Sequence, residues 1–146
     1  MEIGDWIGLI AIGVVIGIGA GWDIRTKKIP VLLLVVGVIG VCVGAVLPNS
    51  LPMRERIIGM IPGILLFLAG VLWHPVGTGD SVLVLLAGFG LGFRGLSYFL
   101  MVSLLCLLPA ALVLIMVRRI GRKDTIPFYP FAAVGLVVSM ILGVVP

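Results

Sequence analysis

Hydrophobic residues fill most of the chain in long runs that short polar segments separate. A transmembrane helix needs about 20 mostly apolar residues, and several of the runs reach or approach this length. The pattern therefore predicts an all-α fold, a polytopic membrane protein with a bundle of about six transmembrane helices in one membrane-embedded domain. The predicted spans are about 4–22, 31–47, 57–73, 80–93, 96–117 and 126–145.

Composition agrees with a lipid environment. Hydrophobic residues make up 62% of the chain and charged residues 11%, whereas a soluble domain is roughly half apolar and about a quarter charged. The net charge is +4, but the basic residues form short clusters between apolar runs. This arrangement is typical of topology signals and not of a nucleic-acid-binding face. Membrane lipid is an expected partner and nucleic acid is not.

The basic clusters also predict an orientation. If six spans place both termini outside, the inner loops carry seven basic residues and the outer loops three, which fits the positive-inside rule. This topology puts Asp23 and Asp80 together at the cytoplasmic face of the cell membrane. The inner residues are Arg25, Lys27, Lys28, Arg118, Arg119, Arg122 and Lys123, and the outer ones are Arg54, Arg56 and Arg94.

Glycines recur every four residues in several of the predicted spans. Such spacing places small residues on one helix face, where a neighbouring backbone can approach closely. Glycine is also common in membrane helices without any such role. Because the spacing serves contacts within one chain or between chains equally well, the oligomeric state stays open.

Asp23 and Asp80 are the candidate catalytic residues. Ionisable groups at membrane depth are costly and are usually functional. Each has a simpler interpretation when taken alone, since Asp80 could cap a helix and Asp23 could pair with a basic neighbour. Together they share one depth and one side, and Gly77 and Gly79 let the loop before Asp80 approach another element closely.

Two neighbouring carboxylates suit the chemistry of an aspartic peptidase. At about 4 Å, two unit charges repel by about 4 kcal/mol at an effective dielectric constant of 20, so such a pair shares one proton. The ionised member takes a proton from water, and the protonated member donates to the peptide carbonyl oxygen and later to the leaving amine. No metal or other cofactor is expected, because His74 is the only histidine and the two cysteines are isolated.

Three motifs resemble those of the type IV prepilin peptidases. Residues 23–30, Asp-Ile-Arg-Thr-Lys-Lys-Ile-Pro, resemble the motif around the first catalytic aspartate of that family. Residues 77–80, Gly-Thr-Gly-Asp, are similar to its Gly-x-Gly-Asp, and residues 126–131, Ile-Pro-Phe-Tyr-Pro-Phe, are similar to its Ile-Pro-Phe-Gly-Pro-Phe. The resemblance implies a membrane aspartic endopeptidase with Asp23 and Asp80 as its catalytic pair. Its substrates would be prepilins or pseudopilins, cut at the cytoplasmic interface between a basic leader and an apolar helix.

Other residues near these motifs are candidates for contact with substrate. The basic residues could meet an acidic group, although topology alone explains them, and the prolines could expose backbone to an extended strand or simply begin a helix. The candidates are Arg25, Lys27, Lys28, Pro127, Phe128 and Pro130.

The chain departs from the family pattern at three positions. Val31 stands where the family often has asparagine, Val82 where it often has lysine, and Tyr129 where it has glycine. The larger family members carry a cysteine-bearing N-terminal region and methylate the new N-terminus. Because the first span begins almost at Met1, the resemblance implies a short, single-domain peptidase without methyl transfer.

Two other functional classes remain open. In a small ion- or proton-coupled transporter, the aspartates would bind a cation or relay a proton, and acidic residues are then expected near the middle of the membrane. In a catalytically silent scaffold of the same fold, the three departures would mark lost activity. Neither class requires a prepilin-like substrate.

Overall fold

A computed structural model describes residues 2–26, 30–48, 50–73, 78–116 and 128–143, and these form α-helices joined by short connections. Three helices contain segments that are long and apolar enough to cross a membrane, namely Ile3–Asp23, Met53–Leu72 and Gly79–Val113. The other two helices are apolar but shorter. The helices are α1 (Ile3–Thr26), α2 (Val31–Val46), α3 (Met53–Trp73), α4 (Thr78–Met116) and α5 (Tyr129–Ile141).

The predicted all-α class is confirmed, but the prediction of six separate spans is wrong. The predicted fourth and fifth spans correspond to two helical segments of α4 that join directly at a kink at Gly92, with no loop between them. Gly92 has a φ of 70°, a conformation that glycine adopts without the steric cost of a Cβ. The predicted turn at Arg94 and Gly95 is helical. The turn was predicted at Arg94 because arginine is polar, whereas this break lies at a glycine that adopts a positive φ.

Helix α4 folds back at this break. A straight helix from Gly79 to Ser103 would be about 36 Å long. Gly79 accepts a hydrogen bond from Tyr129, and Ser103 lies against Gly135, yet Tyr129 and Gly135 are only about 9 Å apart along α5. The two halves of α4 therefore cannot be collinear, and the second half returns toward the middle of the bundle.

The helices meet at two opposite ends of the bundle. At the first, which we call the Arg56 end, the N–H of Gly4 donates to the carbonyl oxygen of Pro48 at 2.8 Å, and Gly92 lies against Leu51. This end holds the starts of α1 and α3, the end of α2 and the break in α4. The second, the Asp23 end, holds the end of α1 and the starts of α2, α4 and α5.

Only some of the regularly spaced glycines lie in helix contacts. A Cβ on Gly59 would overlap the backbone at Gly88, and one on Gly88 would overlap Gly59. Gly4 and Gly44 are in the same reciprocal relation. A Cβ on Gly17 would meet no atom within 4 Å, so the four-residue spacing by itself did not distinguish packed from open positions.

Apolar side chains occupy both the interior and the outer surface. Leu83 and Phe99 are fully buried in the core. Many large apolar residues point outward, including Leu32 at 75% exposure and Leu105 at 61%. Soluble monomers rarely expose large contiguous apolar patches, so this surface favours lipid surroundings.

Two helices extend further than their predicted spans. Helix α1 continues to Thr26 and therefore includes Asp23, and α3 begins at Met53 and therefore includes Arg56. Arg56 is only 2% exposed, so its assignment to an outer loop was wrong. Arg54 and Arg94 remain as exposed basic residues at this end.

Candidate active site

Two aspartates from different helices meet at the Asp23 end. Asp23 lies in the last turn of α1 and is 8% exposed. Asp80 lies in the first turn of α4 and is half-buried. Tyr129 contacts Asp23 and Gly79, the residue before Asp80, so the two aspartates lie at the same end although they are far apart in sequence. Their catalytic role stays a prediction.

Tyr129 lies between the two aspartates and is fully buried. Its backbone N–H donates to Oδ2 of Asp23 at 3.4 Å, and its hydroxyl donates to the carbonyl oxygen of Gly79 at 3.3 Å. The ring lies against Gly19 of α1, where a Cβ would overlap it. Both aspartates act electrostatically on the phenol. Tyr129 thus connects α1, α4 and α5 at one point.

The start of α5 explains why an N–H group is available for Asp23. The first N–H groups of a helix have no partner inside the helix, and Tyr129 is the first residue of α5. Pro130 follows in the first turn, where the missing N–H of proline costs little. The partial positive charge at this helix end also favours a nearby carboxylate. Phe128, the N-cap residue, packs against the core.

Asp80 is part of a helix and not of a loop. The loop before Asp80 was predicted to extend to Gly79, but α4 begins at Thr78, so Asp80 lies inside its first turn. Glycine is tolerated there because first-turn residues do not depend on N–H bonds within the helix. A carboxylate in a first turn interacts favourably with the free N–H groups. Gly79 contributes its carbonyl oxygen to the contact with Tyr129.

Arg25 does not join the aspartates. Each residue turns an α-helix by about 100°, so Arg25 projects from the face of α1 opposite to Asp23, and it is exposed. It lines an open groove of about 520 Å³ on that outer face. The groove is lined by Gly17, Ile18, Gly21, Trp22 and Arg25, and neither aspartate contributes to it.

The structure describes some of the remaining positions that the sequence analysis singled out. Val31 is exposed at the start of α2, and Val82 packs partly buried against the core. The predicted site residues Gly77, Lys27, Lys28 and Pro127 lie outside the described residues.

A second polar cluster lies at the Arg56 end and was not predicted from the sequence. The buried carboxylate of Asp5 accepts hydrogen bonds from the N–H of Glu2 at 2.9 Å and from the N–H and hydroxyl of Ser50 at 3.1 and 2.7 Å. Nη2 of Arg56 lies 4.0 Å from Oδ1 of Asp5. Nη1 of Arg56 donates to the carbonyl oxygen of Phe89 at 3.1 Å, and the guanidinium lies 5.8 Å from the centre of the Phe89 ring.

This cluster links three helices beside the break in α4. Carbonyl groups at the end of a helical segment lack partners within the helix, and Arg56 satisfies that of Phe89 shortly before Gly92. The sequence did hold a signal for its burial. Arg56, Gly59 and Gly63 fall on one face of α3, and both glycines pack on α4.

The acidic groups that the structure brings together at the Asp23 end are the carboxyl groups of Asp23 and Asp80. Among the residues that the structure describes, no group of three or more histidine, cysteine, aspartate or glutamate side chains could hold a metal ion. No protein-family model, characterised protein or solved structure matches the chain. The resemblance to prepilin peptidases therefore rests on the three sequence motifs.

Proposed function

We propose that the protein is a membrane aspartic endopeptidase that removes the leader peptide from prepilin-like proteins at the cytoplasmic face of the cell membrane. The observation that carries the proposal is that Tyr129 contacts both Asp23 of α1 and Gly79, the residue before Asp80 of α4, which brings the two aspartates to one end of the bundle. The concentration of basic residues in the connections at this end supports its cytoplasmic orientation.

The contacts of the pair suggest a role for each aspartate. Asp23 accepts a hydrogen bond from the N–H of Tyr129, a contact that suits an ionised carboxylate. We therefore assign Asp23 as the base that takes a proton from the attacking water. Asp80 is the acid that donates its proton to the carbonyl oxygen as the water attacks. The proton that Asp23 took from the water then passes to the leaving amine, and a hydroxyl group of the tetrahedral intermediate returns a proton to Asp80 as the C–N bond breaks. Two carboxyl groups that share one proton suffice for this reaction.

The shape of the bundle fits a substrate with one polar and one apolar part. A short basic leader would remain in water, and the apolar helix that follows it would lie in lipid beside the outer apolar face of the protein. The bond to be cut then lies at the level where α1 ends and α4 begins. The aspartate pair occupies this level.

The positions of the aspartates favour a peptidase over a transporter. Substrate and ion sites of secondary transporters lie near the middle of the membrane. Asp23 is in the last turn of its helix and Asp80 in the first turn of its own. A pair at helix ends can receive a peptide that lies along the membrane surface.

Substitution of each aspartate tests the proposal. The full chain, in detergent or in vesicles, would be incubated with a substrate that consists of a basic leader followed by an apolar helix. Asp23→Asn and Asp80→Asn should each lower the rate of cleavage at least about a hundredfold, because each removes one proton-transferring group. Asp5→Asn is the matched control, since it changes a buried aspartate of α1 at the Arg56 end, and it should cleave at the rate of the wild type.

The outcomes separate the three functional classes. Cleavage that survives either Asp23→Asn or Asp80→Asn contradicts catalysis by the pair. A wild-type protein that cuts no leader-bearing substrate favours the scaffold. A wild-type protein that does not cleave but moves protons or cations across a vesicle membrane, and loses this activity with either substitution, is a transporter.

A further inference from the structure

Tyr129 is a fully buried side chain at the Asp23 end that the proposed reaction leaves without a role. Its hydroxyl oxygen lies 3.3 Å from the carbonyl oxygen of Gly79, the residue directly before Asp80. Its backbone nitrogen lies 3.4 Å from Oδ2 of Asp23. One residue of α5 thus holds both the segment that carries one aspartate and the carboxylate of the other.

We propose that Tyr129 is a positioning residue, which fixes the first turn of α4 relative to the end of α1 and thereby sets the relative placement of Asp80 and Asp23. The inference rests on the proposed function, because placement matters only if the pair reacts. Tyr129 acts through Gly79 and Asp23 and takes no part in proton transfer.

The residues around the contact explain why this site needs such a support. Gly77 and Gly79 precede Asp80, and glycine leaves the backbone more conformational freedom than any other residue. A hydrogen bond from another helix to the Gly79 carbonyl oxygen restricts that freedom. Proton transfer through water requires donor and acceptor within hydrogen-bond reach, so a small displacement of the first turn of α4 slows the reaction.

The packing of the Tyr129 ring fixes the orientation of its hydroxyl group. Gly19 provides the space that the Tyr129 ring occupies, because a Cβ at this position would overlap it. The ring is also fully buried, so the hydroxyl group cannot turn toward solvent. Because the ring packs against α1 at Gly19, the hydroxyl group has a fixed position relative to α1. Its hydrogen bond then fixes Gly79 relative to α1 as well.

Tyr129→Phe tests the hydroxyl group alone, and Tyr98→Phe is the matched control. Tyr98 is the only other tyrosine of the chain and lies 44% exposed on α4. With the same leader-bearing substrate, Tyr129→Phe should lower kcat about tenfold, the effect of one lost hydrogen bond of ordinary strength. KM should stay within about twofold, because the hydroxyl group does not bind the substrate. Tyr98→Phe should leave both unchanged.

Three results would overturn the inference. An unchanged kcat in Tyr129→Phe shows that the hydroxyl group does not position the pair. A raised KM with an unchanged kcat assigns Tyr129 to substrate binding. Faster cleavage by Tyr129→Gly, which restores the residue of the prepilin-peptidase motif, shows that the ring obstructs the site, whereas positioning by the tyrosine predicts slower cleavage.

A measurement without substrate keeps the test separate from that of the proposed function. Hydrogen exchange of the amides in the first turns of α4 reports the mobility of the segment around Asp80. Tyr129→Phe should raise this exchange about tenfold, and Tyr98→Phe should not. If the wild type cleaves nothing, the proposed function fails, while the exchange rates still decide whether Tyr129 holds this segment. Equal exchange in the two variants contradicts the positioning role.

Discussion

Helix α1 buries one aspartate near each of its ends, and the two differ in their surroundings. Asp5 is 4% exposed and Asp23 is 8% exposed. The carboxylate of Asp5 accepts bonds from Glu2 and Ser50 and lies beside the guanidinium of Arg56. Within the described part of the chain, Asp23 accepts only the long bond from the N–H of Tyr129 and lies near a second carboxyl group.

The different partners of Asp5 and Asp23 suggest different roles, a structural role for Asp5 and a chemical role for Asp23. A buried carboxylate that is hydrogen-bonded and close to a cation is held in its charged form. Two carboxyl groups that lie close together, with few other partners, can hold one proton between them. Burial of an aspartate therefore says little about its function until its partners are known.

The largest expected effect on stability is at the Arg56 end. Arg56→Met should lower the free energy of unfolding by about 3 kcal/mol, because it leaves Asp5 buried without its cation and the Phe89 carbonyl oxygen without its donor. Reversible unfolding in mixed micelles would measure this change. Cleavage at a temperature where the variant is folded should be unaffected.

Arg54→Met is the matched control for this change. Arg54 lies two residues away in the same helix and is exposed, so its loss should change the free energy of unfolding by less than about 0.5 kcal/mol. If the two variants are equally stable, the contacts of Arg56 do not stabilise the fold, and the contrast between the two ends loses its basis.

The sequence predicted the features that depend on one residue and its immediate neighbours. Long apolar runs locate α1, α2 and α3, and the predicted end of the second run is within one residue of Val46. Charge clusters placed Asp23 and Asp80 at the same end. The structure also brings these aspartates to one end of the bundle through their contacts with Tyr129, which is a geometric result and leaves their catalysis to experiment.

The features that were missed depend on partners distant in sequence. Hydropathy scores Arg56 as a loop residue, because the scale does not include the carboxylate of Asp5 or the carbonyl group of Phe89. In the same way, Tyr129 stood out in the sequence only as a departure from glycine. Its fit against Gly19 requires the packing of α1 on α5, which no local pattern encodes.

Glycine substitutions should show an intermediate effect that also distinguishes the two ends. Gly88→Ala places a Cβ against the backbone of Gly59 near the Arg56 end, and overpacking of this kind costs about 1–3 kcal/mol. Gly17→Ala lies toward the Asp23 end, where a Cβ meets no atom within 4 Å. It should be neutral or stabilising by up to about 1 kcal/mol, because alanine loses less conformational entropy than glycine when the chain becomes helical.

Unfolding of the two alanine variants in mixed micelles would measure both changes. Equal destabilisation by Gly88→Ala and Gly17→Ala would show that the close approach of α3 and α4 is not specific to this contact. Destabilisation by Gly17→Ala alone would reverse the assignment of the packed face.

The smallest expected effects come from the two aspartates themselves. Asp5→Asn should lower the free energy of unfolding by about 1–2 kcal/mol, because a neutral amide accepts fewer of the bonds from Glu2 and Ser50 and leaves the buried guanidinium of Arg56 without its nearby anion. Arg56 keeps its bond to the Phe89 carbonyl oxygen in this variant. Asp23→Asn should leave stability within about 0.5 kcal/mol or raise it. Its amide oxygen can still accept the N–H of Tyr129, and the repulsion with Asp80 is removed.

The two asparagine variants therefore give opposite patterns if the comparison holds. Asp5→Asn should unfold more easily and cleave normally, while Asp23→Asn should unfold normally and not cleave. A site that holds two carboxyl groups together carries repulsion that its fold must offset, and removal of one group at an active site commonly stabilises a protein while it abolishes activity. If Asp23→Asn destabilises the protein as much as Asp5→Asn does, Asp23 is a structural group and the proposed peptidase loses its base.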